Sequence, residues 1–186
     1  SLLGDHKADP FKVLYISPGA ISQGLGEAMI AYTETADMSY FNPAAMSFSN
    51  KNRISGSHMK WLPNFGFIDQ YHEFIAFNYK INDKYTIGGN FIYFNIGEQI
   101  GRDEQGRLTN NSWHAYQYVF SINASYKFSN SSSFGLTAKT FKEKMTIDDG
   151  IVSQAIDISY FIQKNNNLNT GFKIANISSD HSAPTI

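Results

Sequence analysis

Residues 113–128 read WHAYQYVFSINASYKF, and their period decides the fold class. His114, Tyr116, Tyr118, Phe120, Ile122, Ala124, Tyr126 and Phe128 recur at every second position. Gln117, Ser121, Asn123, Ser125 and Lys127 fill the places between, with Trp113, Ala115 and Val119 as exceptions. A repeat of two is that of a β-strand, whose side chains alternate between faces, and not the 3.6 of a helix. The run is also much longer than the roughly five or six residues usual for a strand in a soluble domain.

The same alternation spreads outward. Residues 71–81 set Ile75, Phe77, Tyr79 and Ile81 against His72, Asn78 and Lys80; residues 84–96 set Tyr85, Ile87, Phe91 and Tyr93 against Thr86, Gly88 and Asn90. Further on, Phe134, Leu136 and Ala138 oppose Thr137, Lys139 and Glu143, and Ile156, Ile158, Tyr160 and Ile162 oppose Asp157 and Ser159. Phe172 and Ile174 oppose Gly171 and Lys173, and a weaker strand, NRISGSHMK, opens the series at 52–60. Short polar turns at 82–83, 129–132 and 164–167 alternate with longer predicted loops at 62–70, 97–112 and 146–153. Tight turns at one end and long loops at the other are the habit of a transmembrane β-barrel.

Composition agrees with that reading. Aromatics make up 15% and charged residues only 17%, against about 25% charged in an average domain. The net charge of -1 offers no basic field for nucleic acid. Mean hydropathy is -0.32, which a barrel permits because lumen-facing residues dilute lipid-facing ones. A soluble lipid-carrying barrel is the alternative architecture, separated by whether the protein needs detergent. About seven strands are legible, fewer than the even number of eight or more in bacterial barrels. The expectation is therefore an antiparallel barrel of which roughly half is present, with residues 51–186 as wall. Residues 1–50, rich in Gly, Pro and small side chains, precede it. They contain a strand-like run from Glu27 to Thr33 and a helical turn after Pro43, since Pro suits the first helical position.

The stretch SPGAISQGLGEAMIAYTETADMSYFNPAAMSF at 17–48 resembles the N-terminal segment of the PorV family, outer-membrane proteins of the type IX secretion system within the FadL-like superfamily. KWLPNF at 60–65, YFNIGEQIGRDEQG at 93–106 and GFKIANIS at 171–178 extend the likeness. Lys60 departs from it, standing where a Pro is usual. The resemblance implies a FadL-like barrel in the outer membrane of a Gram-negative bacterium, with 1–50 folded inside as a plug. Gly19, Gly24 and Gly26 would let the plug backbone turn tightly against the wall, and Asn42 and Pro43 would form the turn from plug to wall.

The implied function is recognition, not catalysis: binding the C-terminal signal domain of a secreted cargo protein beside a large translocon and passing it to a surface attachment enzyme. Aromatic anchors Trp61 and Phe65 at the first loop, with Arg102, Asp103 and Glu104 in the second, are the expected contact points. A FadL-like transporter of hydrophobic small molecules is the second reading, with Gly88–Gly89 as a candidate bend in the wall.

No cofactor or metal is expected. His6, His58, His72, His114 and His181 are scattered, with His58 and His72 expected to face lumen water and His114 an interfacial belt. Asp103, Glu104, Asp148 and Asp149 read as solvated loop charges rather than a calcium site. On the polar face, parity across the turn at 164–167 allows Asp157 to sit opposite Lys173 on adjacent strands, and a lumenal ion pair is expected there.

Overall fold

Seven strands follow one another: β1 (Arg53–Lys60), β2 (Tyr71–Lys80), β3 (Tyr85–Arg102), β4 (Leu108–Lys127), β5 (Ser132–Lys144), β6 (Ile151–Asn165) and β7 (Leu168–Ile177). They form one antiparallel sheet in chain order, each strand paired with its sequence neighbours. The structure is a computed structural model and describes residues 12–61, 69–147, 150–165 and 168–178. No helix among them is long and apolar enough to cross a membrane, which leaves crossing by strands untouched.

Alternation in the sequence becomes two faces in space. In β4, Phe120, Ile122, Ala124 and Tyr126 are exposed while Gln117, Ser121, Asn123 and Ser125 are buried. Register carries each row across the sheet: Tyr126 lies opposite Phe134, Phe134 opposite Tyr160 and Tyr160 opposite Phe172. A slip of one residue would exchange the faces, so the pattern itself fixes the pairing.

The N-terminal segment covers the inner face. It runs through a 3-10 turn (Lys12–Tyr15), two short helices, α1 (Ala20–Gly24) and α2 (Met38–Phe41), and a 3-10 helix (Pro43–Phe48). Two apolar clusters weld it to the sheet. Val13 and Ala36 pack with Phe74, Ala76, Ile92, Val119, Phe141 and Ala155 of the wall. Met29, Met38, Ala44, Ala45 and Met46 pack with Phe161. The inner face is thus apolar in part, and Val119, an exception to the alternation in 113–128, belongs to that part.

Contacts at the two edges show that the sheet is curled. Asp37 hydrogen-bonds Ser55 on β1, and the Tyr40 carbonyl, three residues on, accepts from Lys173 Nζ on β7 at 2.6 Å. Residues 37 and 40 are about 5 Å apart along a helix rising 1.5 Å per residue. Six inter-strand steps of about 4.8 Å would hold β1 and β7 nearly 29 Å apart in a flat sheet. The edges therefore bend toward one another around the segment.

Several expectations need correction. Glu27–Thr33 forms consecutive turns rather than a strand, with Glu27 at φ 67 and Tyr32 N–H bonded to the Met29 carbonyl. The loop expected at 97–112 is mostly strand: β3 and β4 continue through it, past a bulge beside Gly97, to a tight turn at 103–107. Residues 151–153, expected in the loop at 146–153, are strand, because β6 begins at Ile151.

Candidate functional site

The site is where the N-terminal segment, termed the plug for its position, seats on the covered inner face of the sheet, termed the wall, and Ala44 is its pivot. Asn42 caps the 3-10 helix: its Oδ1 accepts the Ala44 N–H at 3.1 Å, satisfying one of the open donors of the first turn. Pro43 follows at the first helical position, where no N–H is needed. Three wall serines complete the clasp. Ser159 Oγ of β6 accepts the Ala44 N–H at 3.1 Å; Ser125 of β4 and Ser133 of β5 donate to its carbonyl at 3.1 and 2.6 Å. The fully buried Asn42 also donates through Nδ2 to the Ile30 carbonyl at 2.7 Å and the Tyr160 carbonyl at 3.3 Å. Asn42 and Pro43 therefore lie at the centre of the plug, and the chain passes to the wall later, at 49–52. That corrects their expected place.

Glycines make the close approach possible, but mainly on the wall. A Cβ on Gly135 would collide with the Ala44 nitrogen and lie 2.8 Å from the Pro43 carbonyl carbon; one on Gly171 would overlap the Ile30 carbonyl. One on Gly88 would come within 2.7 Å of Met46 Sδ. Gly88 is thus a socket for the plug, and the pairing of β3 with both neighbours runs through Gly88–Gly89 without a gap or bulge. Of the plug glycines, Gly19 (φ 86) lies against Asp37, Gly26 (φ 59) makes a turn, and neither Gly24 nor Gly26 has anything close to its missing Cβ. Their expected approach to the wall is not seen.

Asp157 and Lys173 share the inner face with Lys139, which completes a cluster. Asp157 Oδ2 lies 2.6 Å from Lys139 Nζ and 2.8 Å from Lys173 Nζ, and Asp157 is 1% exposed. An extra residue in β7 bulges the strand between the pairs Ile158–Ile174 and Ile156–Ile177. Within the bulge Asn176 takes φ 60, a left-handed conformation that Asn tolerates better than most. Its N–H then donates to Asp157 Oδ1 at 2.8 Å, and its Oδ1 accepts from Lys139 Nζ at 3.0 Å. Lys173 reaches on to the Tyr40 carbonyl, so one network ties β5, β6 and β7 to the plug.

Further along, the Val13 N–H donates to Gln117 Oε1 at 3.1 Å, and Gln117 in turn bonds Glu143. Lys127 sits 4.2 Å over the Phe48 ring. His72, expected in lumen water, is 1% exposed and packs toward Phe94. His58 lies on the outer face, 2.7 Å from Glu73 Oε1, contrary to its expected side. His114 bonds Asn95 Oδ1 at 2.6 Å beside Tyr116. Among the described residues no three His, Cys, Asp or Glu side chains converge.

Of the residues expected to meet partners, Trp61, Arg102, Asp103 and Glu104 lie at the long-connection end. Trp61 is half-buried, edge-on to Phe94 at 5.6 Å. Phe65, Asp148 and Asp149 lie outside the described residues, as do His6 and His181. Arg102 donates to the Gly106 carbonyl at 2.8 Å, and Asp103 accepts the backbone N–H groups of Gln105 and Arg107 and pairs with the Arg107 side chain at 2.8 Å. The Arg107 backbone bond is the main reason the Asp103 carboxyl titrates below its ordinary range. Arg102 and Asp103 hold their own turn; Glu104 points outward and is exposed.

The outer face carries two bands of rings. Near the long-connection end Tyr71, Tyr93 and Tyr116 follow one another at 6.2 and 6.0 Å, with Tyr118 and Phe91 alongside. Near the short-turn end Tyr85 stacks on Tyr126 at 5.1 Å, and Phe128, Phe134 and Tyr160 group at 4.9–6.2 Å. Between them lie Ile75, Phe77, Ile87, Phe120, Ile122, Leu136, Ile156 and Ile158, all exposed.

The serine and glycine seat was missed by sequence reasoning, although its signal was present: small residues at inner-face parity on three successive strands. Compared with known proteins, the chain matches no family model and no curated protein.

Proposed function

We propose that this chain forms wall and plug of a FadL-like β-barrel in the outer membrane. There it serves as an accessory component of type IX protein secretion. In this role it binds the C-terminal signal domain of cargo proteins beside a large translocon and hands them to a surface attachment enzyme. The observation that carries the membrane part is the outer face. Tyr116 and Tyr126 bound an exposed apolar stretch of β4. Ten residues at about 3.3 Å each make about 33 Å along the strand; at a tilt near 45° that is a band about 23 Å tall, close to the ~25 Å apolar belt flanked by aromatic girdles in outer-membrane barrels. Water would charge heavily for so continuous an apolar surface, and lipid does not.

The secretion part rests on the likeness of 17–48 and 93–106 to the PorV family. The plug gives that likeness physical sense, because its Asn-Pro-Ala element supplies the cap and the Ala44 pivot that lock it to the wall. Cargo and translocon would be met at the long-connection end, where the β3–β4 hairpin presents Ile100, Leu108 and Glu104 to solvent. The chemistry there is binding without bond breaking.

The test is a comparison of secreted proteins between a strain lacking this protein and its parent. Cargo bearing the C-terminal signal domain should be retained inside the deletion strain. Normal secretion together with lost uptake of a hydrophobic compound would overturn the proposal in favour of a transporter.

A further inference from the structure

The Lys139–Asp157–Lys173 cluster holds more positive charge than it neutralises. Among the described residues Asp157 is the one carboxylate within ion-pair distance of either ammonium. Two lysines against one aspartate leave a surplus of one positive charge at a site where both amines are largely buried. Burial makes such a surplus costly unless an anion joins it or one ammonium gives up its proton.

Donors are also left over. An ammonium carries three N–H groups. Lys139 donates one to Asn176 Oδ1 and Lys173 one to the Tyr40 carbonyl, and both lie within ion-pair distance of Asp157 Oδ2. Each has at least one N–H to spare. Beside them lies a cavity of about 140 Å³ lined by both lysines, Asn176, Tyr40 and the apolar side chains of Leu14 and Phe41.

We propose that this cavity, between plug and wall, binds a small monocarboxylate anion, its two oxygens meeting Lys139 and Lys173. Both ammoniums contact the same Asp157 oxygen, so they sit close enough together for the two oxygens of one carboxylate to meet both. Charge-assisted bonds of this kind are the stronger class. Leu14 and Phe41 would pack on the methyl or short alkyl end, and the cavity has no room for a long chain. A doubly charged anion would overshoot the surplus of one. The site goes beyond the secretion role and does not depend on it.

The experiment uses the full chain in detergent micelles, with ¹³C-acetate as probe and chloride as comparator, followed by saturation-transfer NMR. Saturable acetate binding is expected, displaced only weakly by chloride. Lys173→Gln removes the surplus charge and one donor and should weaken acetate by about tenfold or more, since it removes a charge-assisted hydrogen bond. Lys173→Arg keeps charge and donors and should bind within about threefold of the parent, while a purely structural lysine would give both variants the same acetate affinity. Heat-dependent mobility on gels checks that each variant is folded. Absence of saturable acetate binding in the parent, equal binding by folded Lys173→Gln, loss in folded Lys173→Arg, or tighter binding of chloride than acetate would each overturn the proposal. None of these outcomes bears on the secretion experiment.

Discussion

The two faces of one sheet obey different rules. On the outer face Phe120, Ile122, Leu136, Ile156 and Ile158 follow one another with no named partner; any apolar side chain of similar size would serve there. On the inner face identity matters atom by atom. Ser125, Ser133 and Ser159 each hold a specific backbone group of Ala44, and Gly135 is small because Ala44 is in its way. Neighbouring residues on a single strand thus answer to a solvent on one side and to a shape on the other. A face that meets a solvent tolerates exchange within a chemical class, whereas one that meets a partner does not.

The sharpest break in that comparison is at Asp157. Asp157→Leu leaves two buried ammoniums without their shared carboxylate and should cost about 3–5 kcal/mol, read as a fall in the urea midpoint of the protein in micelles. Replacing Lys139 and Lys173 by Met in the same chain should recover much of the loss, because no uncompensated charge then remains. If the triple variant is less stable than the single one, the inner face is not electrostatically specified.

On the other side, Ile122→Lys places a charge near the middle of the outer band. For a lipid-facing position the expected cost is about 2–4 kcal/mol, measured by folding into vesicles, while Ile122→Leu should be nearly silent. A lysine tolerated there without loss would remove the membrane reading.

A single methyl group sharpens the contrast further. Gly135→Ala pushes a Cβ into Ala44 and should destabilise by about 1–3 kcal/mol, with faster proteolysis of residues 12–50 as the local readout. Ala138→Val, on the outer face of the same strand, should change neither.

The smallest effect belongs to the hairpin tip. The Arg107 N–H lowers the Asp103 pKa in the folded state, so the bond's contribution is complete above the unfolded value of about 3.9. It is lost as pH falls through the lower, folded value. Amide exchange at Gln105 and Arg107 should therefore quicken, relative to other turns, only in that acid range; no change there would remove Asp103 as the holder of the turn.

Face assignment was legible because it is local. Adjacent side chains on a strand point opposite ways, so alternation in WHAYQYVFSINASYKF reports two environments without any knowledge of the rest of the fold. The same logic explains where reading failed. Past Gly97 no residue of the hairpin is fully buried on either face, so its sequence carries no strong alternation and passed for a loop. The pattern stops where the asymmetry of surroundings stops, not where the hydrogen-bonded ladder does. Glu27–Thr33 failed in the opposite sense: its apolar residues serve a packed turn around Met29 rather than a strand. His58 and His72 were assigned by polarity, which edge position and plug packing overrode.

By itself, then, the sequence determined the strands, their order and which side of each is apolar, all properties of near neighbours. It also brought Asp157 and Lys173 to one face by parity across a single turn. Tertiary structure alone decided that Lys139 joins them, that a bulge turns Asn176 onto Asp157, and that wall glycines make way for Ala44 and Ile30. Those contacts join residues tens to more than a hundred positions apart, and no periodicity in the chain encodes which distant backbone atom will arrive at a given serine.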